Sequence, residues 1–520
     1  MAKAVIPRMQ GDDYQARFFW LQACRLFQPY TKVCHVGYEL DRIKSFDDVV
    51  VKYSEPLYLE RGDLVEADYF QVKFHVSQAG AFTCAAFIDP KFINAKSVSL
   101  LQRLHAAQNA FAPNGTGCRL IIVSPWIVHP DDPLARLVSN NGGEFHLDRL
   151  FDGTGDRSEM GRVRKMWRDH LGVGNDELKT VLRPLRIYKN APTLVGISED
   201  LNRQLDSLGF LPVEAGQSIH PYDDLIKKLL AQGSNEFTRD VLMGVTEREL
   251  LRRCDPAPPE KDLIPIGIRS FMRWAEHMED ETADMLCLVR HFDGRNVRDY
   301  RLWSDTICME VEKFISKHSV SGKPSLLMLD THASIAFASG YCLGSKSGAD
   351  ITLLQRTRSG KEVWRTHSAT NNRNYAGWSV ADVDCHSEGH EVAVSISVTH
   401  DVVGDVRDYV ERALPEVHRI IACSVAPKPG PGSLVDGNHA LMLAEDLASL
   451  LKLRTREERA AKLHIFASAP NAFMFFVGQM AKGFGQCTMY EYDFDSNELG
   501  AYQASISFPP PPEALASPER

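Results

Sequence analysis

A proline-rich segment near the middle of the chain, Asp255-Pro-Ala-Pro-Pro-Glu260, is the strongest interruption of regular structure in its interior. Each proline removes a backbone donor and fixes φ, so such a run ends helices and is excluded from central strands. We place the main domain boundary there. A length of 520 residues predicts two to four domains at roughly 150 residues each. With 44% hydrophobic and 24% charged residues, the chain has the composition of a globular protein, which excludes disordered and collagen-like classes.

The half before this boundary opens with a helical pattern and three short strands. Apolar spacing predicts a helix over 14–28 and strands over 33–39, 48–53 and 69–76. A helix over 97–111 and a buried strand over 120–124 follow. We expect an α/β domain over residues 1–150, a helical extension over 151–255 and a linker over 256–264.

The half after the boundary contains two similar segments. Each reads as a strand, a small polar turn, a helix carrying a glycine and a second strand, and the two glycines, Gly340 and Gly478, lie 138 positions apart (478 − 340). This spacing predicts two Rossmann-like β-α-β units over residues 265–507. Residues 508–520, which begin with Phe508 and four prolines, are expected to be disordered.

Polar residues are gathered on one face of the third predicted strand. The period-2 geometry of a strand places Gln71, Lys73 and His75 on one face and the apolar residues between them on the other. Asp48 opens the preceding strand, 23 positions earlier (71 − 48), which one hairpin can span. An ordinary strand with a solvated polar face explains the Gln-x-Lys spacing alone.

The order of several polar residues along the chain favours a functional interpretation of this strand. A helix with Gln15, a strand ending at Glu39, an Asp-Asp pair opening the next strand and Gln71-Val-Lys73 on a third resemble the PD-(D/E)xK nuclease superfamily, in its restriction-endonuclease-like branch where Gln replaces the second acid. The resemblance covers about the first hundred residues. It implies a metal-dependent endonuclease that hydrolyses double-stranded DNA with little sequence preference.

The residue types suit that chemistry, because a hard cation such as Mg²⁺ (or Mn²⁺) binds carboxylates, oxygens and water. We expect Asp48 to be the principal metal ligand, with Glu39 and Gln71 as further ligands. Lys73 would orient or deprotonate the attacking water and stabilise the charge on the phosphate. Asp47 replaces Asp48 if the strand register is off by one. Asp68 is a weaker candidate and Gln15 a supporting group.

Phrases of the second half carry another resemblance. Val394-Ser-Ile-Ser-Val-Thr-His400, Ser433-Leu-Val-Asp-Gly437 and Ile465-Phe-Ala-Ser-Ala-Pro-Asn471, together with the first β-α-β unit, resemble the SAVED domain. That domain is a fusion of two CARF-like Rossmann units that senses cyclic oligonucleotides. A nuclease followed by SAVED is similar to the CBASS antiphage effector endonucleases. It implies an enzyme that stays inactive until a cyclic di- or trinucleotide binds, with a cyclic trinucleotide favoured.

A cyclic nucleotide pocket needs backbone N–H groups at helix starts, hydroxyls, cations and stacking faces. In the first unit we expect Thr331, His332 and Ser334 to contribute, with Ser468, Pro470 and Asn471 as their counterparts in the second. Thr399 and His400 would complete the rim. Candidate phosphate partners are Lys346, Arg356 and Lys482, and Trp364 is a candidate stacking face. Each also has a structural explanation, as a helix cap, a core residue or a solvated charge.

The net charge and the cysteine content limit which binding partners and which kinds of site the chain can have. The net charge of −9 disfavours a surface that traps polyanions everywhere, so a DNA site must be local. The eleven cysteines include no C-x-x-C pair, which argues against a disulfide framework and a thiolate zinc site. We expect a bacterial cytoplasmic protein without a membrane segment, whose partners are double-stranded DNA, a cyclic nucleotide and, once that ligand binds, further copies of itself. Two alternatives stay open: a nucleotide-binding signalling protein with a degenerate nuclease fold, and an unregulated restriction-type endonuclease.

Overall fold

A computed structural model describes most of the chain. The described residues are 2–40, 45–58, 64–73, 81–93, 95–151, 155–213, 220–252, 263–273, 275–320, 323–344, 350–356, 361–365, 375–494 and 500–510, with only the backbone for residues 2–9. They form two compact units, Met1–Pro259 and Glu260–Arg520. The predicted linker falls at this division, and its residues 256–262 lie outside the described part, as do residues 511–520 of the predicted tail.

The first unit combines helices with one large sheet. Its helices are α1 (Ala2–Cys24), α2 (Leu100–Phe111), α3 (Leu134–Leu137), α4 (Leu147–Phe151), α5 (Glu159–Leu171), α6 (Asn175–Leu182), α7 (Leu194–Ser207), α8 (Pro221–Ala231) and α9 (Arg239–Arg248). Its strands are β1 (Val33–Tyr38), β2 (Val49–Tyr58), β3 (Leu64–Val72), β4 (Ala81–Phe82), β5 (Gly117–Val123), β6 (Ile127–Val128), β7 (Leu185–Tyr188) and β8 (Glu236–Phe237).

The large sheet has the strand order β7-β5-β3-β2-β1-β8. Strands β1, β2 and β3 are antiparallel neighbours, whereas β5 and β7 run parallel to β3. Helix, three strands, helix and strand therefore follow one another as the sequence predicted, and the predicted α/β class is confirmed. The helical extension over 151–255 needs a correction, because it also supplies β7 and β8 at the two edges of this sheet.

Apolar side chains on the two faces of this sheet build two separate cores. Phe70 and Val72 of β3 pack with α1, α7 and α8 on one face. Leu120 and Ile122 of β5 pack with α2, α5 and α6 on the other. Helix α2 starts at a capping box in which Ser99 accepts from the backbone N–H of Gln102, so its first turn is fixed over the second face.

The second unit contains two further sheets. Its helices are α10 (Met278–Glu281), α11 (Cys308–Val320), α12 (Ala333–Leu343), α13 (Val403–Ala413), α14 (Gly437–Lys452), α15 (Arg456–Ala460) and α16 (Asn471–Met480). Its strands are β9 (Ile264–Arg269), β10 (Asp284–Cys287), β11 (Phe292–Asp293), β12 (Asn296–Val297), β13 (Ser325–Asp330), β14 (Ile351–Arg356), β15 (Lys361–Trp364), β16 (Trp378–Asp384), β17 (Glu391–Ser397), β18 (Val417–Val425), β19 (Leu463–Ser468), β20 (Cys487–Tyr492) and β21 (Tyr502–Phe508).

The two sheets repeat one arrangement. The first has the order β10-β9-β13-β14-β15 and the second β16-β18-β17-β19-β20-β21. In each, four parallel strands are followed by one antiparallel strand, β15 or β21. The two fused Rossmann-like units that the sequence predicted are thereby confirmed. The second sheet adds β16 as an extra antiparallel edge strand.

The equivalent helices α12 and α16 cross where their glycines lie. A Cβ on Gly340 would collide with the carbonyl oxygen of Phe475, and one on Gly478 would collide with the carbonyl oxygen of Phe337. The glycines that revealed the duplication are thus required for the same reason, which is the close approach of the two helix backbones. Within the described residues, no helix is long and apolar enough to span a membrane, and every cysteine is a free thiol.

Candidate functional sites

Three neighbouring strands of the first unit bring the predicted nuclease residues into one row. Tyr38 of β1 is paired with Val49 of β2, and Val49 is paired with Phe70 of β3. The next residues along each strand, Glu39, Asp48 and Gln71, therefore lie side by side. Gln71 faces the side of the sheet that α2 covers, because Phe70 and Val72 occupy the opposite face.

The carboxylate of Asp48 is held by uncharged donors. Its Oδ2 accepts from the backbone N–H of Val72 at 2.6 Å and from the side-chain amide of Gln71. Among the residues that the structure describes, Oδ1 has no hydrogen-bond donor. Burial raises the pKa of Asp48, while Lys73, the Val72 N–H, Gln71 and Arg103 act in the opposite direction. The site therefore holds a carboxylate whose charge is incompletely compensated by the protein.

Glu39 reaches the row through an unusual backbone conformation. Its φ of 48° lies in the left-handed region, which a non-glycine residue adopts at a cost of roughly 1–2 kcal/mol. Backbone bonds hold it there: its N–H donates to the Asp48 carbonyl at 3.1 Å and its carbonyl accepts from Asn235 at 3.2 Å. The Gln15 amide donates to Glu39 Oε1 at 2.6 Å, so the predicted supporting residue contacts the second acid.

Two other acids take different positions. Asp47 is buried and its carbonyl accepts from Leu40, but the bonds from Gln71 and Val72 go to Asp48. The carboxylate of Asp68, 1% exposed, is paired with Arg119 on the other face of the sheet. The outside candidate Asp68 is therefore corrected, because its charge is already neutralised within the protein.

The donor set suits a hard cation. Two carboxylates and the amide oxygen of Gln71 are oxygen ligands of the kind that Mg²⁺ and Mn²⁺ prefer. Within the described ranges, no group of three or more His, Cys, Asp or Glu side chains could hold a metal ion, which is expected when Gln71 replaces the third acid. The residues present fit a divalent cation bound mainly by Asp48.

Arg103 is a residue that the sequence patterns missed. It lies on α2, and its charge, like that of Lys73, lowers the pKa of Asp48. Its helix was predicted, but which helical position meets the strand ends depends on how α2 packs on the sheet. The sequence signal that could have identified Arg103 is a basic residue on the helix that follows the Gln-x-Lys strand.

In the second unit, polar residues meet where β17 and β19 end. The hydroxyls of Thr399 and Ser468 are 2.8 Å apart, and Nδ1 of the exposed His400 lies 3.3 Å from each. The strand order reverses between β17 and β19, so this edge is a topological switch point, where open α/β sheets bind ligands. The structure thus brings these three candidates together.

The corresponding residues of the first half are buried instead. Thr331, His332 and Ser334 are each at most 2% exposed. His332 donates from Nε2 to the Arg295 carbonyl at 2.8 Å and accepts at Nδ1 from Ser270 at 2.7 Å, and burial lowers its pKa. These three side chains lie inside the fold, and their contacts with a ligand stay a prediction.

Two more candidates lie at a small polar cleft of about 100 Å³ beside the ends of β13 and β14. Arg356 is paired with Asp330, with Nη2 3.1 Å from Oδ2. The Asn471 amide donates to the carbonyls of Leu329 and Thr331 at 2.9 and 2.8 Å, so it ties α16 to β13. Pro470 precedes it as the N-cap residue.

The remaining candidates lie elsewhere. Lys482 follows α16 at its far end, where Nζ lies 5.7 Å from the ring centroid of Tyr341. Trp364 is a core residue, 4% exposed, so its ring is not a stacking face. The prediction for Trp364 is corrected, and that for Lys482 stays a prediction. Lys346 lies outside the described residues.

Two residues that the sequence patterns missed cap the helix starts across the two halves. Glu491 of β20 accepts from the Ser334 N–H of α12 at 2.7 Å, and Gln355 of β14 accepts from the Ala472 N–H of α16 at 3.2 Å. Each is the fifth residue of its strand, so the contacts are related by the internal duplication. The 136-position spacing of these residues (491 − 355), close to that of the glycines, was the available signal.

Known proteins resemble this chain. Residues 309–508 match the SAVED model, "SMODS-associated and fused to various effectors sensor domain". Over 509 residues the chain is 35% identical to CD-NTase-associated protein 4 of Enterobacter hormaechei, covering 97% of this chain and all of that protein. Among solved structures, the Acinetobacter baumannii Cap4 SAVED/CARF-domain containing receptor with the cyclic trinucleotide 3′3′3′-cAAA matches at 15% identity and a TM-score of 0.37, over 96% of this chain and 98% of that one. The Moraxella osloensis receptor matches at 15% identity and 0.30, over 96% and 99%.

Proposed function

Because the chain belongs to the CD-NTase-associated protein 4 family, we propose that it is a CBASS antiphage effector in which a cyclic oligonucleotide, bound by the second unit, activates a double-stranded DNA endonuclease in the first. The observation that carries the nuclease is the row of Glu39, Asp48 and Gln71 beside Lys73. The SAVED match over residues 309–508 supports the sensor.

The metal would be held by Asp48, with Glu39 and the amide oxygen of Gln71. When bound, a divalent cation supplies a Lewis acid that neutralises the scissile phosphate and lowers the pKa of an attacking water. Gln71 keeps the Asp48 carboxylate in position through its amide hydrogen bond. Gln15 holds the carboxylate of Glu39 toward the same row, where it would ligate the metal or orient the water.

The cations at this row would act on the phosphate. Lys73 follows Gln71 on the same face, and its charge already acts on Asp48. Its ammonium would orient the attacking water, or in its neutral form take the proton, and would stabilise the charge that gathers on the phosphate oxygens. Arg103 of α2 adds positive charge at the same place, so the negative DNA backbone is attracted to the row despite the net charge of −9.

Plasmid cleavage tests both parts of the proposal. Supercoiled plasmid is incubated with the full-length protein and Mg²⁺, with and without a panel of cyclic di- and trinucleotides. We expect cleavage only when one member of the panel is present, and none after chelation of the metal. Equal cleavage without any nucleotide would support the unregulated restriction-type endonuclease instead.

One observation favours a second candidate, a nucleotide-binding signalling protein without nuclease activity. Gln71 stands where an acid is usual in the nuclease pattern, and no three-acid cluster is present in the described parts of the chain. In that case, a cyclic nucleotide binds and no DNA is cut with either Mg²⁺ or Mn²⁺. Binding measured beside cleavage distinguishes the two functions.

Activation by association follows from the number of active sites. One chain supplies one Asp48 and Lys73 set, whereas cutting both strands of a duplex requires two. We therefore propose that ligand binding drives formation of homo-oligomers through the second unit. Mass measurement in solution, with ligand and without DNA, tests this step: an unchanged mass under conditions that switch cleavage on would rule it out.

A further inference from the structure

A guanidinium and two phenylalanine rings meet in the second unit. Arg295 lies in the turn between β11 and β12, and its Cζ is 4.9 Å from the ring centroid of Phe271 and 4.9 Å from that of Phe494. Phe271 closely follows the end of β9, and Phe494 closely follows the end of β20. Arg295 is exposed and Phe494 is 64% exposed. Three segments distant in sequence therefore form one accessible group.

In the described part of the chain, Arg295 forms no ion pair. Among the residues that the structure describes, no carboxylate lies within ion-pair distance of its guanidinium, and its N–H groups donate no hydrogen bond. The neighbouring arginine Arg269 is paired with Glu279, with Nη1 2.8 Å from Oε2. The charged groups that act on Arg295 are Glu491 and Arg273. The contacts with the two rings leave the hydrogen-bonding edge of the guanidinium open to an anion.

Buried residues fix the conformation of the turn that carries Arg295. The buried ring of His332 donates to the Arg295 carbonyl at 2.8 Å and stacks on Phe292 with 4.4 Å between ring centroids. The hydroxyl of Ser270 is hydrogen-bonded to the other nitrogen of this ring. The backbone position of Arg295 is therefore set before any ligand arrives, which lowers the entropy cost of binding at this place.

The location matches that of a ligand site. Phe271 follows β9, and the strand order of the first sheet reverses between β9 and β13, so this edge is a topological switch point. It is the counterpart of the edge where Thr399, His400 and Ser468 meet in the second half. The predicted candidates at the first edge are buried, whereas Arg295 and Phe494 are accessible there.

We propose that Arg295 and Phe494, with Phe271, form a contact site for one nucleotide of the cyclic oligonucleotide. The open N–H edge of Arg295 would bind a phosphate, and the exposed ring of Phe494 would stack on a base. This inference rests on the proposed function and names residues for its ligand site. An aromatic face accepts any base, so the site would contribute affinity more than base selectivity.

Binding of 3′3′3′-cAAA and of the cyclic di- and trinucleotide panel to full-length variants tests the inference. We expect Arg295→Ala to weaken binding by about 10- to 100-fold, which corresponds to the loss of a hydrogen bond to a charged group. Arg295→Lys keeps the charge but not the planar edge, so it should recover binding only in part. Phe494→Ala should weaken binding by about 5- to 100-fold through the lost stacking, and Phe494→Tyr should retain it.

Arg412→Ala is the matched control. Arg412 also lies over a ring of the second unit, with 5.9 Å from Cζ to the Tyr409 centroid, but on α13. We expect its binding to equal that of the wild type. Since His332 contacts only the backbone carbonyl of Arg295, the Arg295→Ala protein should keep the thermal stability of the wild type, and its plasmid cleavage should recover at high nucleotide concentration.

The outcomes separate this inference from the proposed function. If the wild type binds a member of the panel and the Arg295→Ala and Phe494→Ala variants bind it equally well, the contact site is wrong and the sensor stands. Equal weakening by Arg412→Ala would also overturn it, because the loss would then be unspecific. If the wild type binds no member of the panel, the sensor function fails and the inference fails with it.

Discussion

Two carboxylates of one sheet, the half-buried Asp48 just before β2 and the buried Asp68 on β3, differ in how the protein treats their charge. Asp68 accepts from Arg119 Nε at 2.5 Å and from the Tyr53 hydroxyl at 2.5 Å, and Nη2 of Arg119 completes the ion pair. Asp48 lies on the opposite face, and its donors among the described residues are the Gln71 side-chain amide and the Val72 backbone N–H; the charges of Lys73 and Arg103 lower its pKa.

This difference is the one expected between a structural carboxylate and the proposed metal ligand. A buried charge is tolerated when a partner compensates it, and Asp68 has that partner within the fold. The raised pKa of Asp48 reports a charge that still lacks compensation, which a metal ion would supply. The presence of an acidic residue alone therefore does not identify the site. The groups that contact its carboxylate do.

The largest expected effect is on cleavage by the Asp48→Asn variant. Asparagine keeps the shape and can accept the Val72 N–H, but it removes the charge that holds the metal. We expect nucleotide-activated plasmid cleavage to fall by at least about 10³-fold, because the metal contributes several kcal/mol to the transition state. Cyclic nucleotide affinity should not change.

Asp47→Asn is the matched control for this prediction. It removes the neighbouring carboxylate, which does not receive the bonds from Gln71 and Val72, and it should keep most of the activity. Loss of activity in Asp47→Asn together with its retention in Asp48→Asn would reverse the assignment of the two acids.

Asp68→Asn should instead reduce stability. It leaves Arg119 without its buried partner, which costs about 3–5 kcal/mol in comparable pairs. We expect a fall in melting temperature of about 6–12 °C or more, measured by calorimetry, for a unit of this size. Adding Arg119→Met should recover part of the loss. Glu55→Gln, which breaks the exposed pair with Lys32, is the surface control and should cost less than about 1 kcal/mol.

The positions of Asp48 and Asp68 show what the sequence could predict. Strand alternation placed Gln71 and Lys73 on one face, and the hairpin spacing brought Asp48 near them, because both rules are local. Arg119, the partner of Asp68, lies 51 positions away on the parallel strand β5. No local sequence pattern shows such a pair, so the sequence alone cannot exclude Asp68 as a site residue.

The second unit shows the same limit. The duplication, the glycine crossing and the cluster of Thr399, His400 and Ser468 follow from repeated local patterns. The roles of His332 and Ser334 do not follow from such patterns, because a small polar turn after a strand serves a ligand or the fold equally well. What decided between these roles was the carboxylate of Glu491, which lies 157 positions from Ser334 and caps the helix.

The raised pKa of Asp48 predicts a pH dependence that Asp68 does not share. Since burial favours the protonated form in the folded state, stability associated with Asp48 is present at low pH and is lost as pH rises through the raised pKa. In chelator, the wild type should therefore become less stable than Asp48→Asn as pH rises, and the two should converge on acidification. Melting temperatures across pH test this, and a constant difference would contradict it.

Cleavage should show the opposite trend at limiting Mg²⁺. Only the carboxylate form of Asp48 binds metal, so activity should fall on acidification at a higher pH than an ordinary aspartate would cause. Excess Mg²⁺ should restore activity, because metal and proton compete for the same oxygens. An acid limb that does not move with Mg²⁺ concentration would assign it to another group.

Gln71→Glu has the smallest expected effect, but it tests most directly whether Asp48 needs a metal and Asp68 does not. The substitution places a second carboxylate against Asp48 and removes the amide that donates to it. Without metal, we expect a loss of about 1–3 kcal/mol, the cost of an unpaired buried group. With Mg²⁺, the new carboxylate becomes a ligand, and metal binding should return about 2.7 kcal/mol when Mg²⁺ is present at a hundred times its Kd.

Gln71→Glu should therefore melt below the wild type in chelator and approach or exceed it in Mg²⁺, with cleavage within about tenfold of the wild type. Asp68→Asn keeps Glu39, Asp48 and Gln71, so Mg²⁺ should stabilise it as much as it stabilises the wild type and leave its deficit relative to the wild type unchanged. If Mg²⁺ reduced the deficits of both variants equally, the two faces of the sheet would not differ in their need for a metal. A deficit that Mg²⁺ removes in Gln71→Glu alone would place the cation at the row that Glu39, Asp48 and Gln71 form.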